Sequence, residues 1–178
     1  MSEKILDIKD ERLSFFTPAG EVKALNGVSF TMNQGDVLGV VGESGSGKSV
    51  TAYSVMGLTA YPGKLVGGKV WFNGHEIENM KEKDFRKIRG NEVSIIFQDP
   101  MTSLNPVYTI GNQIVEVILL HTKKSKQEAW ARAKELLELV GINEPDRRLK
   151  QYPHELSGGM RQRVMIAIAL ACEPKLLI

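Results

Sequence analysis

One short stretch of the chain combines the residue types that bind phosphate. Residues 42–49 read GESGSGKS, with three glycines ahead of a lysine and a serine. Glycines allow the backbone to turn successive N–H groups toward one anion. Lys48 would then contact the β- and γ-phosphates of a nucleotide, and the Ser49 hydroxyl would ligate a Mg²⁺ ion bridging them. The plain structural alternative is a glycine-rich turn followed by a serine that caps a helix.

The elements predicted on either side of this loop suit a phosphate site. VLGVV, residues 37–41, is a continuous apolar run typical of a strand buried on both faces. Residues 49–56 predict a helix that Gly57 stops, and the N-terminus of such a helix attracts anions. GxxxxGK[ST] between a strand and a helix predicts a P-loop. The residues expected to bind the phosphates are Gly42, Glu43, Ser44, Gly45, Ser46, Gly47, Lys48, Ser49 and Val50.

The first hundred residues are otherwise rich in strand-like runs. Three short β-branched or aromatic runs, broken by glycine and proline, lie between residues 4 and 32. Asn73 and Gly74 separate two further strand-like runs and predict a tight hairpin. A charged helix at residues 82–89 and a strand at 93–97 follow.

The second half predicts helices. Apolar residues recur at helical spacing from Ile110 to Ile118, and Ser125 with Glu128 forms a capping box for the next helix. A last helix begins at LSGGM, residues 156–160, and residues 175–178 begin a buried strand. This alternation predicts an α/β domain.

Composition excludes several classes of function. The formal charge of +2 over 178 residues gives no support for binding nucleic acid. Cys172 is the single cysteine, so an intramolecular disulfide is impossible and a reducing compartment is expected. The longest apolar stretch, residues 164–172, is about half of what a bilayer-spanning helix needs. Any membrane role therefore depends on a partner.

Two further segments resemble the ATP-binding subunits of ABC transporters. They are SIIFQDPMTSLNP, residues 94–106, and YPHELSGGMRQRV, residues 152–164. Together with the P-loop they are most similar to the first ATPase subunit of oligopeptide and dipeptide importers, a subgroup that includes nickel and glutathione importers. The resemblance implies one nucleotide-binding domain of the P-loop NTPase class: a β-rich core at 1–98 with an N-terminal antiparallel β portion, a helical subdomain at 99–165 and a return to the core at 166–178.

The resemblance also assigns roles to individual residues. Gln98 would contact Mg²⁺ and the attacking water, while Ser157, Gly158 and Gly159 would reach the γ-phosphate of ATP bound by an opposite subunit. Adenine would stack on an aromatic ring of the N-terminal strands, Phe15 or Phe16. Two alternatives stay open: Asp99 could be the magnesium-binding acid, and LSGGM could be an ordinary capped helix.

The same resemblance implies ATP and Mg²⁺ as cofactors and a set of partners. These are membrane-spanning permease subunits, a second ATPase subunit in a head-to-tail dimer and, indirectly, an extracytoplasmic peptide-binding protein. The subunit would lie at the cytoplasmic face of the membrane. A non-catalytic nucleotide-binding or docking fragment is the alternative. A P-loop kinase or GTPase using Asp99 is a third reading, and no guanine-reading NKxD pattern supports it.

The resembled family carries catalytic residues beyond those in this sequence. In that family an aspartate and a glutamate follow the strand that begins at residue 175, and a histidine comes later. Here the sequence ends at Ile178, and His75, His121 and His154 all precede LSGGM. We therefore expect a truncated chain that binds nucleotide weakly and hydrolyses little.

Overall fold

The computed structural model describes residues 3–99 and 103–178, which divide into a first unit ending at Phe85 and a second unit beginning at Arg86. The first unit holds most of the strands, and the second most of the helices. The strands are β1 (Lys4–Thr17), β2 (Gly20–Asn33), β3 (Gly63–Phe72), β4 (His75–Glu76), β5 (Val93–Ser94) and β6 (Leu176–Leu177). The helices are α1 (Lys48–Val55), α2 (Glu82–Ile88), α3 (Ile110–His121), α4 (Lys126–Leu139), α5 (Pro145–Arg148) and α6 (Gly158–Ala169), with a 3₁₀ turn at Pro153–Glu155.

An antiparallel sheet forms the first unit, in the order β2-β1-β3-β4. Long strands β1 and β2 pair along almost their whole length, from Lys4 opposite Asn33 to Thr17 opposite Gly20. The buried side chains of β1 and β3 include Leu13 and Phe72, which have no exposed surface, and residues 5–8 of β1 are buried consecutively. The predicted N-terminal antiparallel β portion is confirmed.

The hairpin between β3 and β4 turns at the predicted residues. Asn73 and Gly74 have φ angles of 45° and 78°. Two successive residues with positive φ are what a type I′ turn requires, and this turn matches the twist of the strands it joins. The Asn-Gly pair was therefore a sufficient local signal.

A bulge in β1 changes which face its side chains occupy. Ile8 and Leu13 are both buried although they are an odd number of residues apart, and the pairing register shifts on either side of Glu11. An extra residue in a strand moves the following side chains to the opposite face. Asp10, with φ of 48°, accordingly lies on the exposed face, and Glu11 on the buried one.

Gly68 accommodates this bulge, and we expect Gly68→Ala to destabilise the first unit by about 1 to 3 kcal/mol. A Cβ at Gly68 would lie 2.2 Å from the Asp10 carbonyl oxygen, and its φ of 85° is unfavourable for alanine. Urea unfolding measures the loss. Gly67→Ala is the matched control, because its Cβ would meet Arg12 Cδ at 3.4 Å and Gly67 has no positive φ. Equal stability of the two variants would show that the bulge tolerates a side chain.

The strand predicted at residues 37–41 is wrong for this structure. The segment has no regular secondary structure, and Val37 and Val41 are 99% and 93% exposed. A buried parallel strand needs neighbours that pair with its backbone groups. Among the described residues, neither sheet includes this segment. The apolar run therefore stays solvent-exposed despite its strand-like sequence.

The second unit is built on a helical core. Helices α3, α4 and α6 pack together through fully buried side chains that include Ile114, Leu136 and Val164. The predicted capping box is present: the Ser125 hydroxyl accepts from the Glu128 N–H, and the Glu128 carboxylate accepts from the Ser125 N–H. These hydrogen bonds, together with the positive charge of Lys124, lower the pKa of Glu128.

A short parallel pair, β5 with β6, completes the second unit. Val93 lies opposite Leu176, and the Ile96 N–H donates to the Ile178 carbonyl at 2.8 Å. The strands predicted at 93–97 and from residue 175 are thus both present, although shorter than the apolar runs. Across residues 3–99 and 103–178, none of the helices has the length and apolar character needed to cross a bilayer.

Candidate functional site

The loop at residues 42–47 adopts a conformation that its glycines make possible. Gly45 and Gly47 have φ angles of 81° and 93°, in the region that side chains rarely adopt. Gly47 also packs closely on β2: a Cβ there would lie 2.7 Å from Leu25 Cδ2 and 2.9 Å from the Ala24 carbonyl oxygen. The loop is therefore held against the sheet at its junction with α1.

Lys48 extends back over this loop. Its Nζ donates to the carbonyl oxygens of Gly42 at 2.8 Å and Glu43 at 2.6 Å. The Ser46 hydroxyl is 3.4 Å from the same nitrogen. Within the described part of the chain no carboxylate pairs with Lys48, so its positive charge is solvated by carbonyls but not neutralised. An anion at the loop would meet an uncompensated ammonium group.

The N-terminus of α1 is open at the same loop. Its N-cap is Gly47, which offers no side chain to accept hydrogen bonds from the first N–H groups. Ser49 is exposed in the first turn, Val50 follows half-buried, and Thr51 anchors the turn by donating its hydroxyl to the Gly47 carbonyl. Uncapped N–H groups and the helix dipole make this end suitable for a phosphate.

The residues that could hold Mg²⁺ are few, which fits an ion coordinated largely by phosphates and water. Ser49 supplies an exposed hydroxyl beside Lys48 in the first unit. Among residues 3–99 and 103–178, no group of three or more His, Cys, Asp or Glu side chains could hold a metal by itself. Since Mg²⁺ usually keeps several waters and takes one or two protein ligands, the serine hydroxyl is a compatible donor.

Gln98 and Asp99 lie in the second unit, shortly after β5, and both are exposed. The carbonyl oxygen of Asp99 accepts from the Ser103 hydroxyl at 2.7 Å. Residues 100–102, which belong to the SIIFQDPMTSLNP segment, lie outside the described residues. Both side chains are therefore accessible to a ligand, and the structure leaves the choice between Gln98 and Asp99 open.

The LSGGM segment forms the capped start of α6. Ser157 is its N-cap, and the Ser157 hydroxyl accepts from the Met160 N–H at 3.3 Å. Gly158 and Gly159 are exposed, and a Cβ at either position would meet nothing within 4 Å. The buried side chain of Leu156 anchors the segment. The hydroxyl and the glycines therefore face open space at a helix N-terminus.

A cavity of about 340 Å³ adjoins this helix start. Its lining includes Ser157, Gly159, Arg148 and Arg163, all in the second unit. Arg163 donates from Nη1 to the Gly141 carbonyl at 2.7 Å, while Arg148 Nε is buried without a partner among the described residues. Sequence reasoning missed both arginines as site residues: Arg163 lies within the segment 152–164 but was given no role, and no spacing relates Arg148 to LSGGM.

The two candidate aromatic residues lie together at the end of β1. Phe15 is half-buried, and its ring would be 2.8 Å from a Cβ on Gly63. Phe16 is 44% exposed, with Lys64 Nζ 5.9 Å from its ring centroid. Both belong to the unit that contains the glycine loop, and neither is fully buried, so the choice between them remains open.

The histidines lie in unremarkable surroundings. His75 is exposed in β4, and His154 is exposed and stacks on Tyr152 at a ring separation of 5.6 Å. His121 ends α3, where burial lowers its pKa. His75 and His154 therefore lie at the surface, whereas His121 is half-buried.

Comparison with known proteins identifies the family. The ABC transporter family model matches residues 25–178. The chain is 52% identical over 177 residues to the oligopeptide transport ATP-binding protein OppD of Escherichia coli (strain K12), covering 99% of this chain and 52% of the relative. It is 51% identical to the dipeptide transport ATP-binding protein DppD of Lactococcus lactis, covering 99% of this chain and 51% of the relative. The chain spans about half the length of these curated relatives.

Solved structures agree with this assignment. The dimeric ATP-binding cassette MJ0796, in a post-hydrolysis state bound to ADP and Pi, is 26% identical with a TM-score of 0.86, covering 97% of this chain and 72% of that one. CbiO1 from Clostridium perfringens, part of an ABC transporter complex, is 25% identical with a TM-score of 0.75, covering 98% of this chain and 64% of that one. The predicted P-loop NTPase fold and the family resemblance are confirmed. The chain belongs to the ABC transporter family.

Proposed function

We propose that this protein is the ATP-binding subunit of an importer, coupling ATP binding and hydrolysis to the passage of peptides across a membrane. The observation that carries the proposal is the glycine loop at the start of α1, with the unneutralised ammonium of Lys48 held over it. Curated relatives of about 50% identity are named for oligopeptide or dipeptide transport. The peptide class rests on those relatives alone.

The phosphates of ATP would lie where Lys48 now contacts its own loop. Lys48 would exchange the Gly42 and Glu43 carbonyls for the β- and γ-phosphate oxygens, which are stronger acceptors because they are charged. N–H groups from residues 42–50 would donate to the remaining oxygens, and Ser49 would ligate Mg²⁺. Bound Mg²⁺ supplies charge neutralisation between the phosphates. Phe15 or Phe16 would stack on adenine.

Hydrolysis in this proposal requires a second ATPase subunit. Ser157, Gly158 and Gly159 present a hydroxyl and open backbone at a helix N-terminus, and this arrangement suits the γ-phosphate of a nucleotide bound by the opposite subunit. Arg148 and Arg163 add positive charge beside Ser157. Gln98, exposed in the second unit, would position the attacking water. A dimeric cassette among the similar structures supports the pairing.

The remaining partners follow from the same proposal. Permease subunits would bind the ATPase and hold it at the cytoplasmic face of the membrane, while an extracytoplasmic protein would deliver the peptide. The division into a core at 1–98, a helical subdomain at 99–165 and a return to the core at 166–178 also remains part of the proposal.

Uptake of labelled peptides in the native host tests the proposal. We expect deletion of the gene to abolish uptake of a labelled tetrapeptide, and the wild-type gene, but not its Lys48→Ala form, to restore it. Labelled dipeptide and nickel ions, measured in the same strains, distinguish the three substrate classes. Undiminished uptake of all three after deletion would contradict an import function.

A further inference from the structure

A second cavity, of about 220 Å³, lies in the first unit beneath α1. It is lined by apolar side chains such as Leu13 and Val70, and by Glu11, Ser54, Lys64 and Glu78. Glu11 has no exposed surface. A buried carboxylate in such surroundings needs a partner, because desolvation strongly disfavours its charge.

The backbone conformation of β1 directs the Glu11 side chain into this cavity. The bulge in β1 places Glu11 on the buried face between Ile8 and Leu13, and Gly68 packs against the bulge. Bulges are a common way of redirecting a side chain. The Glu11 side chain therefore lies on the buried face, where it lines the cavity.

The carboxylate of Glu11 lacks a donor. Both of its oxygens, and Oε2 of Glu78, are buried without hydrogen-bond partners among the described residues. Glu78 Oε1 accepts from the Val70 N–H. The negative charge of Glu78 opposes ionisation of Glu11. Lys64 also lines the cavity but is exposed, with Nζ over the Phe16 ring and no ion pair to either glutamate in the described structure.

Ser54 determines which side chain would donate the hydrogen in a bond between Ser54 and Glu11. Ser54 lines the same cavity as Glu11, and its hydroxyl already donates its hydrogen to the Thr51 carbonyl at 2.8 Å. A hydroxyl has one hydrogen and two lone pairs. The bond between the two side chains can therefore form only if Glu11 carries a proton and donates it to Ser54 Oγ.

We propose that Glu11 is a positioning residue that stays protonated beside Glu78 and donates to Ser54, tying β1 to the helix that carries Lys48 and Ser49. Ionisation of Glu11 removes this donor and places two like charges in one cavity. The contact between β1 and α1 is then weakened. A divalent cation is a poorer occupant than a proton, since calcium takes six to eight oxygen ligands and, among the residues that the structure describes, only three carboxylate oxygens of this cavity lack partners.

The proposal gives stability a definite dependence on pH. Burial raises the pKa of Glu11 above its ordinary value of 4.5, with the Glu78 charge acting in the same direction. Between the unfolded and folded pKa values the folded chain retains a proton that the unfolded chain releases. This contribution to stability is therefore complete below pH 4.5 and is lost as the pH rises through the folded pKa.

Glu11→Gln imitates the protonated side chain, because its amide donates to Ser54 and carries no charge. We expect the wild-type unfolding equilibrium constant to rise with pH relative to that of this variant, by up to about tenfold per pH unit within the window. Above the window the variant is the more stable protein. Urea unfolding of the nucleotide-free protein over a pH series measures this difference, and parallel pH profiles would overturn the proposal.

Matched variants distinguish the effect of the Glu11–Glu78 pair from general effects of charge on stability. Glu78→Gln removes the like charge, so the stability of this variant should depend less on pH than that of the wild type. Glu21→Gln, at an exposed position on β2, should keep the wild-type pH dependence. Calcium chloride provides a further test. If millimolar calcium raised the unfolding midpoint of the wild type but not of Glu11→Gln, a cation would occupy the cavity and the proposal would be wrong.

ATP affinity gives a second readout, which rests on the proposed function. Because Ser54 belongs to the helix that begins at Lys48, we expect wild-type affinity to fall with rising pH more steeply than that of Glu11→Gln. Identical affinity profiles would overturn the positioning role. Complete absence of ATP binding at every pH would instead contradict the proposed function, while the unfolding profiles would still test the proton.

Discussion

Replacing Lys48 by alanine is expected to weaken ATP binding by about 10- to 100-fold. Hydrogen bonds to charged groups contribute about 1.5 to 3 kcal/mol, and 1.4 kcal/mol corresponds to a tenfold change in affinity. In the structure Lys48 already points over the loop, with Nζ on the Gly42 and Glu43 carbonyls and no carboxylate partner among the described residues. Little rearrangement is then needed to reach a phosphate. Isothermal calorimetry with ATP and Mg²⁺ measures the loss.

Two controls make this experiment specific. Lys83→Ala removes an exposed lysine of α2 from the same unit and should leave ATP affinity unchanged within about threefold, as expected when only weak surface electrostatics are altered. AMP should bind the wild type poorly, because it lacks the phosphates that Lys48 contacts. Wild-type ATP affinity in Lys48→Ala, with both proteins folded, would contradict the assignment of the loop.

Local sequence signals were sufficient where the determinant is short-range. The Asn73–Gly74 turn, the Ser125 capping box and the helix start at LSGGM each depend on a few consecutive residues, and all three occur as predicted. The P-loop belongs to the same class, since its glycines and the start of α1 are adjacent in sequence. The local conformation of such a motif is determined by its own consecutive residues.

Features that depend on longer-range contacts were not predicted from the sequence. Residues 37–41 have the composition of a buried strand, but strand formation depends on neighbours, and this segment pairs with neither sheet in the described structure. Burial of Glu11 depends on a bulge in β1 and on Gly68 far along the chain. Arg148, which lies in α5, approaches Ser157 only through helix packing. Each outcome is set by tertiary contacts that periodicity does not encode.

The largest loss of stability is expected from Leu136→Ala in α4, at about 2 to 5 kcal/mol. Leu136 has no exposed surface and belongs to the core that joins α3, α4 and α6. Truncation removes buried methyl groups and leaves a cavity, because packed helices relax only partly around the missing atoms. The helix itself should persist, since alanine is a strong helix former. Urea unfolding, followed by helical circular dichroism, measures the change.

Leu139→Ala, one turn further along the same helix, is the matched control. Leu139 is 69% exposed, so this substitution deletes the same side-chain atoms at a solvent-exposed position instead of in the core. Its unfolding free energy should stay within about 0.5 kcal/mol of the wild type. A comparable loss in both variants would mean that the exposed face of α4 is buried in the protein in solution. A small loss in Leu136→Ala alone would contradict a close-packed core in the second unit and the rigid support it gives to the Ser157 end of α6.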